Sequence, residues 1–233
     1  MGNEQKTVFI TGADRGIGLA LCKEFLQHGW RVIGGRYLTS WPELDELKQK
    51  YDSFQTVDLD VSDTESVKKA VDTTKTLVSH IDMLVQVAGI IKRDESRESI
   101  GMMLAVNSVG PIRVVKEFLP LMQEGDKRLC FFSSEAGSIS LAHRKNEYGY
   151  GLSKSALNMG VKLMFNDQRK DGFTFRLYHP GWVNSYMETE KKSTIAPYEP
   201  EETAISAFRS FTTDRKCEDV LVMTDINDRT WSF

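Results

Sequence analysis

The chain has 233 residues and a formal net charge of −3. That length accommodates one α/β domain with a sizeable core, the charge balance offers no basic face for nucleic acid or an anionic membrane, and no apolar run reaches transmembrane length. Residues 1–6 lack the apolar core of a signal peptide, and Cys22, Cys130 and Cys217 are widely spaced and outside any CxxC pair. Reduced thiols in a cytoplasmic protein are expected. His28, His80, His143 and His179 have no ligand-like spacing, so no metal site is expected.

Taken in order, strand-like and helix-like segments alternate. Residues 7–10 form a short apolar strand that runs into Thr11-Gly12-Ala13-Asp14-Arg15-Gly16-Ile17-Gly18, after which Ile17, Ala20, Leu21 and Phe25 recur at helical spacing. Residues 30–35 read as a second strand, 41–51 as a helix, 54–57 as a third strand, and 67–77 as a helix beginning near Ser62-Asp63-Thr64-Glu65. A fourth strand, 81–87, stops at Ala88-Gly89. A long helical pattern covers 99–122, and strands at 128–132, 173–178 and 220–223 are separated by helices at 150–166 and 199–211. The alternation predicts a single α/β domain over residues 1–233, a doubly wound parallel sheet of about seven strands with helices on both faces.

Glycine serves where the backbone takes positive φ or must lie against a ligand. A helix N-terminus gathers unpaired N–H groups that hold phosphate. The turn from Gly12 to Gly18 combines the two, at the sheet edge where such folds bind ligands. Further along, Pro111 cannot donate to the carbonyl four residues back, so Asn107 keeps a free carbonyl for another donor such as water, at a kink in the helical pattern. Tyr150 and Lys154 are four apart on a helix and share a face. An ammonium near a phenol favours phenolate, and such a tyrosine can exchange a proton with an alcohol or carbonyl oxygen. Tyr148 has Leu152 at its fourth position and lacks this partner. Ser133-Ser134 ends a strand at the same edge, where a hydroxyl can reach a substrate oxygen.

The ordered set Thr11-Gly-x-x-x-Gly-x-Gly18, Asp60-Val61, Ala88-Gly89, Asn107, Ser133-Ser134, Tyr150-x-x-x-Lys154 and Pro180-Gly181 resembles the short-chain dehydrogenases/reductases of carbonyl-reductase type, over about residues 7–183. The resemblance implies a Rossmann-like domain, with residues of about 6–135 as its nucleotide-binding part and about 136–233 as its catalytic and substrate part, in an oxidoreductase that moves hydride between a nicotinamide and a small or medium carbonyl or alcohol. In it Tyr150 is the general acid/base, Lys154 holds the nicotinamide ribose and tunes Tyr150, Ser134 positions the carbonyl, and the Asn107 carbonyl binds a relay water. Ser134 is preferred to Ser133 because the family's active serine is the second of such a pair. The pyrophosphate would lie against Gly12, Gly16, Ile17 and Gly18, and the adenine against Asp60-Val61. Ala88, Gly89, Tyr150 and Lys154 would flank the cofactor, with Pro180, Gly181, Val183 and Ser185 on the nicotinamide side. Two positions depart from the family pattern. Val87 stands where the family has asparagine, with a consequence expected for stability rather than activity. Ser185 replaces a threonine and keeps a hydroxyl.

A site that prefers NAD(H) carries an acid at the end of the second strand, bonded to the ribose 2′-OH. This chain has Arg36 there and Arg15 in the glycine turn, two cations for a 2′-phosphate, so NADP(H) is expected over NAD(H). The short, charged segment 185–197 lies where the family has its substrate lid and argues against a deep steroid-like pocket. The 150–166 helix carries Leu152, Ala156, Met159 and Leu163 on one side and Leu157, Val161 and Met164 on another. It is therefore deeply buried or shared with a second subunit, and the resemblance implies a homodimer or homotetramer. Two rival readings are a non-catalytic NADP-binding sensor on the same fold and an extended-type epimerase or dehydratase. The sensor has no need of Tyr150 and Lys154, and the glycine spacing disfavours the epimerase.

Overall fold

The computed structural model describes residues 5–39, 41–187 and 192–233. Eight strands form one sheet: β1 (Thr7–Thr11), β2 (Arg31–Arg36), β3 (Phe54–Asp58), β4 (Met83–Gln86), β5 (Arg128–Phe132), β6 (Thr174–His179), β7 (Met223–Asp225) and β8 (Thr230–Trp231). Their order across the sheet is β3-β2-β1-β4-β5-β6-β7-β8. β1 to β7 are parallel, and the expectation of a wholly parallel sheet fails only at β8. This two-residue strand returns antiparallel on β7. Asp225 closes that turn by accepting bonds from the amides of Asn227 and Arg229.

The chain steps one way from β1 to β3, then restarts on the other side of β1 with β4. Such a reversal opens a crevice at the carboxyl ends of the two diverging strands. Burial explains why β1 can sit at the centre. All five of its residues are buried, and its side chains alternate between two core layers. Phe9 packs on one face with residues of α3 (Thr64–Leu77), α5 (Gly110–Phe118) and α6 (Tyr148–Gln168). Val8 and Ile10 pack on the other with α1 (Gly16–Gln27), α2 (Glu43–Lys50) and α7 (Pro200–Thr212). Each large apolar side chain so buried contributes about 1.5–3 kcal/mol. Helix ends are capped locally: Asp63 accepts from the Glu65 amide, and Glu199 and Glu202 form a reciprocal capping box at α7.

The long helical pattern at 99–122 resolves into α4 (Arg97–Leu104), a π turn (Ala105–Val109), α5 and a 3-10 turn (Leu119–Met122). The expected kink at Gly110-Pro111 is instead a widened turn in which the Gly110 amide reaches back to the Ala105 carbonyl. Pro111 then falls at the first turn of α5, where its missing N–H costs nothing. The last parallel strand lies at Met223–Asp225 rather than 220–223.

Candidate active site

The floor of the crevice is set by Thr11. Its buried hydroxyl accepts from the amides of Val87 (3.0 Å) and Ala88 (3.2 Å), tying the end of β1 to the exit of β4. Beyond it Gly12 and Gly16 take φ of +64° and +57°, a region that side chains disfavour. A Cβ on Gly12 would lie 2.8 Å from the Ala88 Cα, and one on Gly18 only 2.0 Å from the Gly12 carbonyl oxygen. The glycine turn therefore folds flat against β4 and its own helix, leaving the α1 N-terminus open toward the crevice. Gly18→Ala should cost about 2 kcal/mol or more through forced backbone displacement. A thermal melt without cofactor checks this, and an unchanged melting temperature would refute the close packing.

A cleft of about 430 Å³ opens over this turn. It is lined by Gly12, Arg15, Gly16, Ile17, Gly18, Asp60, Val61, Ala88, Gly89, Tyr150, Lys154, Pro180 and Ser185, all residues singled out in the sequence. Asp14, Tyr37, Leu38, Ile90, Met102, Val106, Tyr186 and Met187 also line it and were not foreseen. Asp14 is buried, which pushes its carboxyl up, and it accepts from the amides of Tyr37 and Leu38. It fastens the loop after β2 onto the glycine turn. Asp60 uses Oδ1 on the amide and hydroxyl of Ser62, so its carboxylate is largely committed to its own turn.

Five of the expected cofactor and catalytic residues make contacts that the sequence did not indicate. Arg36 donates from Nε and Nη2 to Asp58 Oδ1 (3.1 and 2.9 Å) and lies 3.7 Å from Asp45, so it stands at the rim with two acids. The β2–β3 register, with Arg36 opposite Asp58, makes that pair. Gly181 (φ +77°) and Val183 shape the turn packed on Tyr198 rather than line the cleft. Asn107, inside the π turn, uses its side chain on both backbone groups of Ile90 (2.8 Å each) and on the Ser153 hydroxyl (3.0 Å). It thereby pins the loop after β4, a role its sequence position did not reveal. Arg15 lies between the rings of Trp41 and Tyr186, 5.0 and 5.2 Å from their centroids, and donates to the Tyr186 carbonyl. That contact draws the segment after β6 across the glycine turn. Residues 188–191 of the expected lid lie outside the described residues.

Tyr150 and Lys154 project from the first turns of α6 and are both buried. Burial pushes the Tyr150 phenol up to about 12, with the Ser134 hydroxyl and Arg144 opposing and Glu135 reinforcing the rise. Lys154 places Nζ 5.8 Å from the Tyr150 ring centroid and donates to the Phe132 carbonyl at 3.0 Å. The expectation that the ammonium lowers this phenol is thus reversed by desolvation. Burial also pulls the Lys154 ammonium down to about 8. The two strand-end serines separate cleanly. Ser133 donates to Asn158 Oδ1 at 2.6 Å, whereas Ser134 turns to the Tyr150 side, where it donates to Glu135 at 2.6 Å. The start of α6 is held by acids: Glu95 accepts from the Gly149 amide, and Glu147, at φ +63°, pairs with Arg93 and Arg144.

A crevice at the sheet's switch point, floored by close-packed glycines under a helix N-terminus, defines a Rossmann-like nucleotide-binding protein. A model of the short chain dehydrogenase family matches residues 6–196, and the chain belongs to that family of oxidoreductases. An uncharacterised oxidoreductase of Schizosaccharomyces pombe is 29% identical over 97% of this chain and 92% of its own length. The carbonyl reductase Sniffer of Drosophila melanogaster superposes with a TM-score of 0.88 over 99% of this chain and all of that one, at 21% identity. An NADPH-bound carbonyl reductase from chicken fatty liver gives 0.86 over the same shares, at 22% identity. At those identities the two structures speak for the fold. Among the described residues no helix is long and apolar enough to cross a membrane.

Proposed function

We propose that this protein is an NADP(H)-dependent carbonyl reductase, or in reverse an alcohol dehydrogenase, acting on small or medium substrates in the cytoplasm. The observation that carries the reading is the buried Tyr150 phenol at the cleft wall, in hydrogen-bond contact with the Ser134 hydroxyl and one helical turn from Lys154. Bound NADPH would supply hydride. The chain's own residues do the rest: Tyr150 donates a proton to the carbonyl oxygen, Ser134 orients that oxygen, and Lys154 holds the ribose hydroxyls. The glycine turn fits a pyrophosphate, since its close packing at Gly12 and Gly18 lays it flat and leaves the α1 N-terminus facing the cleft. The Asn107 carbonyl, four residues before Pro111, is assigned the relay water. Residues of about 6–135 would serve the nucleotide and about 136–233 the substrate. The chicken carbonyl reductase, described as NADPH-bound, supports the choice of cofactor.

The test is NADPH oxidation over a panel of aldehydes and ketones, with Tyr150→Phe as control. Turnover of at least one carbonyl, lost in the variant, supports the proposal. Tight NADPH binding with no carbonyl reduced would make the protein a nucleotide sensor instead.

We also assign the exposed face of α6 to a second copy of the chain. Leu157, Val161 and Phe165 are buried in the core, while Leu152, Met159 and Leu163 on the other side are each more than half exposed. Covering three such side chains offers a few kcal/mol of association free energy. Sedimentation should give a dimer or tetramer, and Met159→Glu with Leu163→Glu should give a folded monomer. Monomer mass for the unaltered protein would refute the assignment.

A further inference from the structure

Ser134 offers one proton and two lone pairs. The proton goes to Glu135 Oε2 at 2.6 Å, and one lone pair accepts the Ala136 amide at 3.1 Å. Ser134 therefore stands beside Tyr150 with its proton committed to Glu135, the group from which a substrate oxygen must draw it. Glu135 is itself gripped by Arg144, through Nε at 2.9 Å and through Nη2. Arg144 also pairs with Glu147, and Glu147 with Arg93. His179, at the end of β6, places Nε2 3.8 Å from the same Glu135 oxygen, with its buried Nδ1 unpartnered. This chain of charges links the strand-end turn, the α6 N-cap and β6 around one hydroxyl.

We propose that Glu135, with Arg144 as its counter-charge, is a positioning residue that directs the Ser134 hydroxyl and controls proton exchange at Tyr150. The inference rests on the oxidoreductase reading above and adds a residue to its site. Burial pushes the Glu135 carboxyl up, but the Ser134 hydroxyl and Arg144 outweigh it, and the group stays below the usual carboxylate range. It is therefore an anion at neutral pH, fixed beside the phenol. The titratable and charged groups around this cluster are Glu135, Arg144 and Glu147 on the turn side, Glu95 at the α6 N-terminus, the His179 imidazole from β6, whose burial favours its neutral form, and Lys154 on the helix of Tyr150. The anion opposes phenolate and Arg144 favours it. Removing one or the other therefore moves Tyr150 in opposite directions.

The experiment compares the pH profiles of alcohol oxidation in the holoenzyme for the native protein, Glu135→Gln and Arg144→Met. The phenolate-dependent limb should move down by about half a pH unit or more in Glu135→Gln and up by a similar amount in Arg144→Met. Melting curves establish that each variant is folded; if one is not, the direction of shift in the other decides. A second readout needs no turnover: the tyrosinate absorbance that Tyr150→Phe removes, followed with NADP⁺ bound through the alkaline range in which the fold is kept. Absence of turnover on any substrate would overturn the catalytic reading and leave this titration to decide the role of Glu135. An unmoved Tyr150, or shifts of the same sign in both variants, overturns the proposal and makes the network a structural clasp.

Discussion

Tyr150→Phe should lower kcat/KM for carbonyl reduction by about 10²–10⁴-fold, the range for loss of a positioned general acid, while leaving NADPH affinity within a few-fold. The fold should tolerate it. The ring packs among Ile91, Met103 and their neighbours, all of which phenylalanine keeps, and the lost phenol–Ser134 bond is worth about 1 kcal/mol. Equal activity in the variant would remove Tyr150 from the chemistry.

Lys154→Met makes the companion case and should separate stability from function. Lys154 has its folded-state pKa pulled from 10.5 to about 8 by burial. Between those values the unfolded chain binds the extra proton, so this group's contribution to stability rises with pH across that window. Below about pH 8 the protein carries the full cost of a buried ammonium, of the order of 3 kcal/mol, even with the bond to the Phe132 carbonyl in place. Methionine removes both. The variant should melt at or above the native temperature at pH 7 yet lose most of its activity, a trade common at functional sites. In the native enzyme, kcat/KM for NADPH should decline as pH rises through about 8, where an ammonium placed to hold the ribose would give up its charge. A flat profile there would contradict the burial of Lys154.

What the sequence disclosed of this site was local. Gly12, Gly16 and Gly18 are legible because a strand, a positive-φ turn and a helix start fall within one short stretch, and Tyr150 and Lys154 because helical spacing alone puts them on one face. Gly110-Pro111 marked the break near Asn107, though not the π turn that realises it. The rest depends on segments that meet only in the fold. Glu135, Arg144 and Glu147 come from the β5–α6 connection and Arg93 from the β4–α4 connection, which are far apart in sequence. The direction of the Tyr150 shift was misread because spacing reports which charges are near but not how far water has been excluded. β8 escaped notice for want of length, although the Asp225 and Asn227 turn that creates it is a recognisable turn composition. Arg36 was read correctly as a strand-end cation, but its pairing with Asp58 follows from the β2–β3 register, which the sequence does not state.

That pairing changes the size of the expected cofactor preference. Two arginines against a 2′-phosphate, each bond worth about 1.5–3 kcal/mol, would favour NADPH by 10²-fold or more. Arg36, however, already bonds Asp58, whose side chain is 69% exposed, and approaches Asp45, which is 58% exposed. Exposed pairs of this kind are worth about 0–1 kcal/mol, so the phosphate displaces them at modest cost. The preference for NADPH over NADH in kcat/KM should then be about 10- to 100-fold, carried mainly in KM and weakening as salt screens the site. Asp58→Ala removes the competitor and should tighten NADPH several-fold without altering NADH. Arg36→Asp should abolish the preference, and should also lower the melting temperature, because it sets a third carboxylate beside Asp58 and Asp45. Arg15, committed to Trp41 and Tyr186, can turn only part of its fork toward a phosphate, so Arg36 is expected to carry the larger share of the preference. An Arg36→Asp protein that still prefers NADPH tenfold would transfer that role to Arg15.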